Sequence, residues 1–333
     1  MAETSLYQQL AEAIGVGDSQ IIPEIFQMLA NENEAKVILA AAPPATAEEI
    51  AEKAGLPTDD VEKMMEPLFK KGLIFMSKKA GPTRYYRVRQ LFQFHDSTIL
   101  TEGVSQEFYD LWKKYMDIEF RQHHKRFESS LPNSVVRVIP VNIVLEPDAR
   151  IAAFEDVKQI VQDAENLAVT KCTCRTVDGK CGKPVEVCIQ VNRSADYALQ
   201  RGTGRKLTPE EAIEMLKMCE EEGLVHVIGN RQAIGNVICN CCSDCCINWP
   251  GPRTSPVNFT APSRFTAVVD ADLCTACETC LDRCHFEAIT MEGEDDTALI
   301  NADLCMGCGL CAVTCPSGAM TLEETRSEEF VPA

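Results

Sequence analysis

Two copies of one cysteine spacing limit what this chain can fold into. Cys274-x-x-Cys277-x-x-Cys280-x-x-x-Cys284 is followed, 31 residues on, by Cys305-x-x-Cys308-x-x-Cys311-x-x-x-Cys315-Pro316. The lead-in repeats too, as Asp270-Ala271-Asp272-Leu273 and then Asn301-Ala302-Asp303-Leu304. A duplicated half of this kind predicts a pseudo-two-fold domain. The chain holds 18 cysteines in all, which need a common explanation. Met1-Ala2-Glu3-Thr4 has neither the basic nor the apolar region of a secretory leader, so a cytoplasmic location is expected. Thiols stay reduced there, and thiolate ligation of metal becomes the leading account of the cysteines.

At 333 residues the chain has material for two or three domains. No run approaches the roughly 18 apolar residues of a membrane span. The net charge of −18 is uneven: residues 264–333 carry 3 basic and 14 acidic side chains, and residues 1–90 carry 10 and 13. Such a surface repels nucleic acid and suits a basic protein partner.

Apolar residues recur at helical spacing in Leu6/Leu10/Ala13/Ile14, in Ile22/Ile25/Phe26/Leu29 and in Val37-Ile38-Leu39. Pro43-Pro44 interrupts, and Thr46-Ala47-Glu48-Glu49 restarts a short helix closed by Gly55. The next helix follows Pro57-Thr58, turns Val61, Met64, Met65, Leu68 and Phe69 inward, and ends at Gly72. Strands are expected at Leu73–Met76 and Tyr85–Val88, around a turn at Lys79–Thr83. Helix, turn, helix and hairpin over residues 32–90 resemble the winged-helix domain of bacterial transcription regulators. The would-be recognition helix carries Asp59, Asp60, Glu62 and Glu66 against Lys63, Lys70 and Lys71, whereas DNA readers present Arg, Lys, Asn or Gln there. The wing holds Lys78, Lys79, Arg84, Arg87 and Arg89. A protein-docking or dimer role is therefore favoured over DNA binding. Residues 91–134 form a helical connector whose stripe of Phe108, Leu111, Trp112, Tyr115 and Ile118 is expected to be core. His123-His124, beside Arg121, Lys125 and Arg126, is expected on a solvated face.

Residues 135–248 read as an α/β unit with ten further cysteines. Strands are expected at Val135–Val138, Ile143–Leu145 and Val225–Ile228, and helices from Phe154 to Leu167 and after Thr208. Residues two apart on a strand share a side, so Cys172/Cys174 and Cys239/Cys241 are each expected to present a thiol pair. Cys242-x-x-Cys245 adds the chelating turn of iron–sulfur and zinc sites. Cys172, Cys174, Cys241, Cys242 and Cys245 are the candidate ligands of a third metal site, with an iron–sulfur cluster first among the candidates. Structural zinc, a redox dithiol and simple packing compete with it, and Cys219 on an apolar helix face suits packing best. Cys181, Cys188 and Cys246 have no assignment, since ten cysteines exceed what one cubane needs. Arg201-Gly202-Thr203-Gly204-Arg205 reads as a flexible loop rather than a phosphate cradle. The pattern of Cys-x-Cys-Arg followed by Cys-Asn-Cys-Cys resembles multidomain iron–sulfur proteins of anaerobes.

A proline-rich linker at 249–263 leads to the last domain, residues 264–333. A strand enters the first motif from Phe265, and Ile289–Met291 and Ala298–Ile300 flank the acidic turn Glu292–Asp296. Over residues 264–323 this region resembles the bacterial two-cluster ferredoxin domain. The resemblance implies two 4Fe-4S clusters whose fourth ligand comes from the other half. Cluster one would take Cys274, Cys277, Cys280 and Cys315; cluster two would take Cys284, Cys305, Cys308 and Cys311. His285 stands where the first repeat would have its proline, either as an exposed loop residue or as a donor near cluster two.

The chain is thus expected to be an α+β multidomain protein: a winged helix at 1–90, the connector, the cysteine-rich unit and the dicluster domain. No flavin, nicotinamide or molybdenum signature is evident. The leading functional expectation is an electron-transfer protein or subunit of an anaerobic oxidoreductase system, rather than a stand-alone enzyme, exchanging electrons with a partner protein. A redox-sensing winged-helix regulator is the alternative from another class. A third reading makes the middle cysteines a catalytic centre, which requires an open coordination position.

Overall fold

The computed structural model of the chain describes residues 4–77, 81–141, 155–233, 235–249, 259–292 and 297–333. The strand expected at 143–145, two wing lysines, residues 293–296 of the acidic turn and residues 250–258 of the linker lie outside these. Backbone contacts gather residues 1–126, with 176–178 and 201–203, into one unit, and 127–175, 179–200 and 204–333 into a second. Among the described residues no helix is long and apolar enough to cross a membrane.

The first unit begins with α1 (Leu6–Ala13) and α2 (Ile22–Leu29). α3 (Glu32–Ala40) and α4 (Ala47–Ala54) each start from a capping box. The Asn31 and Thr46 side chains accept from the amides of Glu34 and Glu49, whose carboxylates accept from the Asn31 and Thr46 amides in return. Gly55, at φ +66°, stops α4 in the left-handed region. α5 (Thr58–Lys70) and the antiparallel hairpin of β1 (Ile74–Met76) and β2 (Tyr85–Arg87) complete a winged helix. Val61, Met65, Leu68 and Phe69 are buried as their periodicity requires.

α6 (Leu91–Thr98), α7 (Gln106–Ile118) and α8 (Phe120–Ser129) follow. Phe26 stacks on Phe94 with centroids 4.1 Å apart, and Phe94 meets Trp112 at 5.3 Å, so the aromatic stripe is core. Ile118, at the end of that stripe, is instead 66% exposed. The expectation of a solvated face at His123 and His124 is corrected: both rings are buried. His123 Nδ1 lies 2.8 Å from the Tyr115 hydroxyl, and His124 packs on Phe92 and Phe120. The charges of that run, Arg121, Lys125 and Arg126, occupy the exposed side of α8, which leaves the histidines facing the aromatic core.

In the second unit the elements run β3 (Val136–Val138), α9 (Val157–Gln162), β4 (Leu167–Lys171), α10 (Thr173–Asp178), β5 (Glu186–Val191), α11 (Arg193–Arg201), β6 (Gly204–Leu207), α12 (Pro209–Glu221), β7 (Val225–Gly229), β8 (Val237–Cys241) and β9 (Thr260–Ala261). The strands form one sheet in the order β6-β4-β5-β8-β7-β3-β9, antiparallel except for β3 with β9. The helix expected from 154 to 167 is shorter, because Leu167 already belongs to β4. The stretch read as a flexible loop at 201–205 enters β6, where Arg205 pairs with Val169. Val169, Ile189, Ile228 and Ile238 form a core with Ile160 of α9 and Leu216 of α12. By strand alternation, Cys239 and Cys241 turn the other way, to a second core with Val138, Val225 and Val227.

β10 (Phe265–Val269), α13 (Thr279–Arg283), β11 (Ile289–Glu292), β12 (Thr297–Ile300), α14 (Leu310–Val313) and β13 (Met320–Glu324) build the C-terminal module. β10 pairs antiparallel with β13, joining the start of the first repeat to the end of the second. The far end of the expected linker is built into the fold: Thr260–Ala261 is β9, and Ser263 and Arg264 are fully buried. Met306 and Leu310 pack into the core that holds Cys239 and Cys241, and the Val141 amide donates to Cys308 O at 3.0 Å. The C-terminal module and the cysteine-rich sheet therefore share a core.

Arg264 is fully buried between two carboxylates, Glu155 at 2.5 Å and Glu324 at 2.7 Å. Glu155 is buried as well, so removing the cation strands a charge without water. Arg264→Met is expected to lower stability by about 3–5 kcal/mol in anaerobic urea denaturation of the loaded protein. A second substitution, Glu155→Leu, is expected to restore much of that loss, because the stranded charge is removed.

Candidate metal centres

The two cysteine loops of the C-terminal module have the same backbone. The residues before and after the second cysteine of each loop take left-handed conformations: Ala276 (φ 52°) and Glu278 (φ 59°) in the first, Gly307 (φ 64°) and Gly309 (φ 80°) in the second. Alternating handedness turns successive amides toward a common centre, the arrangement that receives anionic sulfur clusters. Ala276 and Glu278 bear the strain of a positive φ; at Gly307 no side chain fits. A Cβ there would lie 2.0 Å from the Phe265 carbonyl oxygen.

Each loop closes on a cavity. One is lined by Cys274, Cys277, Cys280 and Cys315 with Val269, Met291 and Met320. The other is lined by Cys284, Cys305, Cys308 and Cys311 with Phe286, Ile289 and Ile300. Each thus gathers three thiols from its own loop and one from the opposite repeat, in an apolar setting. The donors fit a cubane, which needs four thiolates. Hydrogen bonds reach several sulfurs: the Ala288 amide donates to Cys284 at 3.3 Å and the Ala267 amide to Cys305 at 3.5 Å.

The two cavities differ in burial. Cys277 is exposed, and hydrogen bonds from Thr279 hold its thiol below the usual range. Burial pushes Cys308 up to about 12. His285 is engaged away from both cavities: Nε2 donates to Gly223 O at 2.6 Å, and Nδ1 lies 3.1 Å from Ser243 Oγ. With Arg283, which donates to Glu221 O at 2.6 Å, it holds the C-terminal end of α12, where free carbonyls favour donors.

The ten other cysteines separate according to the strand ends that carry them. Cys239 and Cys241 share one side of β8, directly opposite Val227 and Val225 of β7. Asn240 points the other way, where it accepts from His226 Nδ1 at 2.6 Å and donates to Val187 O at 2.6 Å. The chain then turns through two Cys-Cys pairs. In each pair one member goes to one pocket and its neighbour to the other: Cys241 and Cys246 to the core with Met306, Cys242 and Cys245 to a pocket with Val187, Cys219 and Leu224. β4 ends at Lys171, so Cys172 caps α10 and Cys174 lies on that helix; strand alternation does not govern this pair.

Two thiol groups result. In the first, Cys246 hydrogen-bonds with Cys174 and Cys241, and Cys241 with Cys239. Burial opposes ionisation of Cys246, but those thiols and the Asn248 amide bring it down to about 6. In the second, Cys181 Sγ lies 3.6 Å from Cys242 Sγ and 3.8 Å from Cys245 Sγ. Of the residues singled out from sequence, Cys242 and Cys245 come together with Cys181, and Cys174 and Cys241 with Cys239 and Cys246. The expected ligand set leaves out Cys181 and Cys246, and it omits Cys239 although Cys239 and Cys241 are expected as a thiol pair. The doubled Cys-Cys pairs were the available signal, since adjacent residues at a strand end face opposite ways. Cys188, on β5, receives a hydrogen bond from Gln190 Nε2 at 3.1 Å.

Residues 273–319 match the family model of the 4Fe-4S dicluster domain, and residues 27–90 match that of the sugar-specific transcriptional regulator TrmB. The C-terminal module is a two-cluster ferredoxin domain, and the N-terminal region is a winged helix of the TrmB type. A search of curated proteins returns no match for the chain.

Gly307 gives the ferredoxin loops a direct test. Gly307→Ala drives a Cβ into the Phe265 backbone and is expected to cost the roughly four irons of the second cavity. Ala276→Gly, at the matching position of the first loop, is expected to retain full iron. Iron and sulfide analysis after anaerobic purification checks both.

Proposed function

We propose that the chain is an electron-transfer component of an oxidoreductase system, with cluster one on Cys274, Cys277, Cys280 and Cys315 and cluster two on Cys284, Cys305, Cys308 and Cys311. The observation that carries this is the pair of apolar cavities, each lined by four thiols drawn from both repeats. Bound there, the clusters would accept and release single electrons. The protein's own contribution is to fix the thiols, exclude water and grade exposure.

That grading suggests a direction. The first cavity has its partner-facing edge at Cys277, flanked by exposed Asp270, Asp272, Leu273 and Glu278. An acidic rim around an apolar contact suits a basic redox partner. The second cavity lies inward, against the sheet. We assign the third centre expected in the cysteine-rich unit to Cys239, Cys241 and Cys246, which share a core with Met306, Cys308 and Leu310 of the second loop, and to Cys174, which hydrogen-bonds with Cys246 from the neighbouring pocket. Its thiols therefore reach the second cluster through packed side chains. Iron near twelve per chain is expected after anaerobic purification, eight from the ferredoxin pair and four from the third centre. Cys241→Ala is expected to lower that to about eight. An unchanged iron content would sink the third assignment and leave the ferredoxin pair standing.

The match over residues 27–90 favours a regulator as the second reading. The exposed side of α5 presents Asp59, Asp60, Glu62 and Glu66. The described wing arginines are also engaged: Arg84 with Glu49 at 2.8 Å, Arg87 with Ala13 O at 3.0 Å, and Arg89 over the Tyr86 ring at 4.3 Å. We therefore assign this domain to protein docking. In a gel-shift titration at low salt, with DNA from upstream of its own coding region, no retardation is expected; sequence-specific binding would restore the regulator.

A further inference from the structure

The second thiol group of the middle domain has a different geometry from the ferredoxin cavities, and a different ion follows from it. Cys181, Cys242 and Cys245 place their sulfurs within 4.8 Å of one another, the single such trio of potential metal ligands among the described residues. Two of the edges measure 3.6 and 3.8 Å. A tetrahedral ion with metal–sulfur bonds of about 2.3 Å sets its ligands about 3.8 Å apart along each edge. A cubane holds its thiolates further apart, because each binds a different iron. The comparison is internal to this chain: among the described residues no three of the ferredoxin thiols lie within 4.8 Å of one another, whereas this trio does.

The surroundings suit a closed structural site. Cys242-x-x-Cys245 is a chelating turn, and Cys181 returns from the loop after α10, which Gly179 at φ +61° stops. The Cys172 amide closes that loop by donating to Val185 O at 2.7 Å. Arg175 lies in the same wall, only 2% exposed, with no carboxylate ion pair among the described residues. Its guanidinium donates to the carbonyls of Pro184 and Asn240 and meets Cys242, Cys172 and Cys181, while its Nε has no hydrogen bond. A buried cation needs compensating negative charge. Four thiolates around a dication leave a charge of −2, which supplies it.

We infer that Cys181, Cys242 and Cys245, completed by Cys172, form a closed zinc site that fastens the loop after α10 to the end of β8. Cys172 and Cys174 both line this pocket and hydrogen-bond with each other. Cys172 is chosen as the fourth ligand because Arg175 meets it together with Cys181 and Cys242, whereas Cys174 turns to Cys246. Cys172 stands outside the trio and closes on it when the ion binds. Zinc is assigned because the set is wholly thiolate and tetrahedral in spacing, with Cys242 and Cys245 buried and Cys172 and Cys181 half-buried, which suits a structural ion. This inference does not depend on the electron-transfer reading.

The test uses the full-length chain, produced with iron and zinc both available and purified anaerobically without chelators. About one zinc per chain is expected, with X-ray absorption at the zinc edge showing four sulfur neighbours at about 2.3 Å. Cys242→Ser is expected to abolish the zinc and leave the ferredoxin iron in place. Cys181→Ser, in a loop rather than beside β8, repeats the test if the first variant folds poorly. Cys172→Ser is expected to leave three sulfurs at the zinc edge, and Cys219→Ser four. Absence of zinc from fully iron-loaded protein would overturn the site. So would zinc that survives both Cys181→Ser and Cys242→Ser, or a loss of four irons with four sulfides from Cys242→Ser. Failure here is distinct from failure of the third cluster, which is read by iron in Cys241→Ala.

Discussion

The exchange of distal cysteines between the two repeats is the constraint on which the C-terminal module depends. Cys315 closes the cavity of the first loop and Cys284 that of the second. Neither repeat therefore supplies all four thiols of its own cavity. Pairing of β10 with β13 makes the exchange geometrically available, since it ties the start of one repeat to the end of the other. Metal binding and folding are coupled in such a domain, because the ligand set exists only in the assembled state.

The same logic continues into the cysteine-rich sheet. β8 delivers Cys239 and Cys241 to the core that contains Met306 and Leu310, while Asn240 fixes the strand from behind through His226 and Val187. His285 and Arg283, from the first repeat, hold the end of α12. The position where the second repeat has Pro316 is thus used in the first for docking, which a proline lacking a side-chain donor would not provide. The sheet and the ferredoxin module are one unit because both faces of the contact are made of these specific pieces.

The legibility of the chain followed the reach of each signal. The capping signals at Thr46 and Thr208 act over three residues, and the helices they start are where the pattern puts them. The ferredoxin spacing is equally local, so its loops were readable. The charged neighbours of His123 and His124 point to a solvated face; burial is decided by an aromatic core of Phe92 from α6, Tyr115 from α7 and Phe120 of their own helix. Cys172 and Cys174 were misplaced onto a strand because the end of β4 at Lys171 carries no strong local marker.

By itself the sequence determined the winged helix, the duplicated ferredoxin loops and the need for thiolate chemistry upstream of them. Those features rest on interactions between residues a few positions apart. Tertiary structure decided how the ten middle cysteines are shared. Cys181 meets Cys242 across 61 positions, and Cys174 on α10 meets Cys246 beyond the end of β8. Such partners are set by which strands pair and which face each end presents. The twin motif marks an iron–sulfur domain; the fold decides which upstream thiols come together beside it.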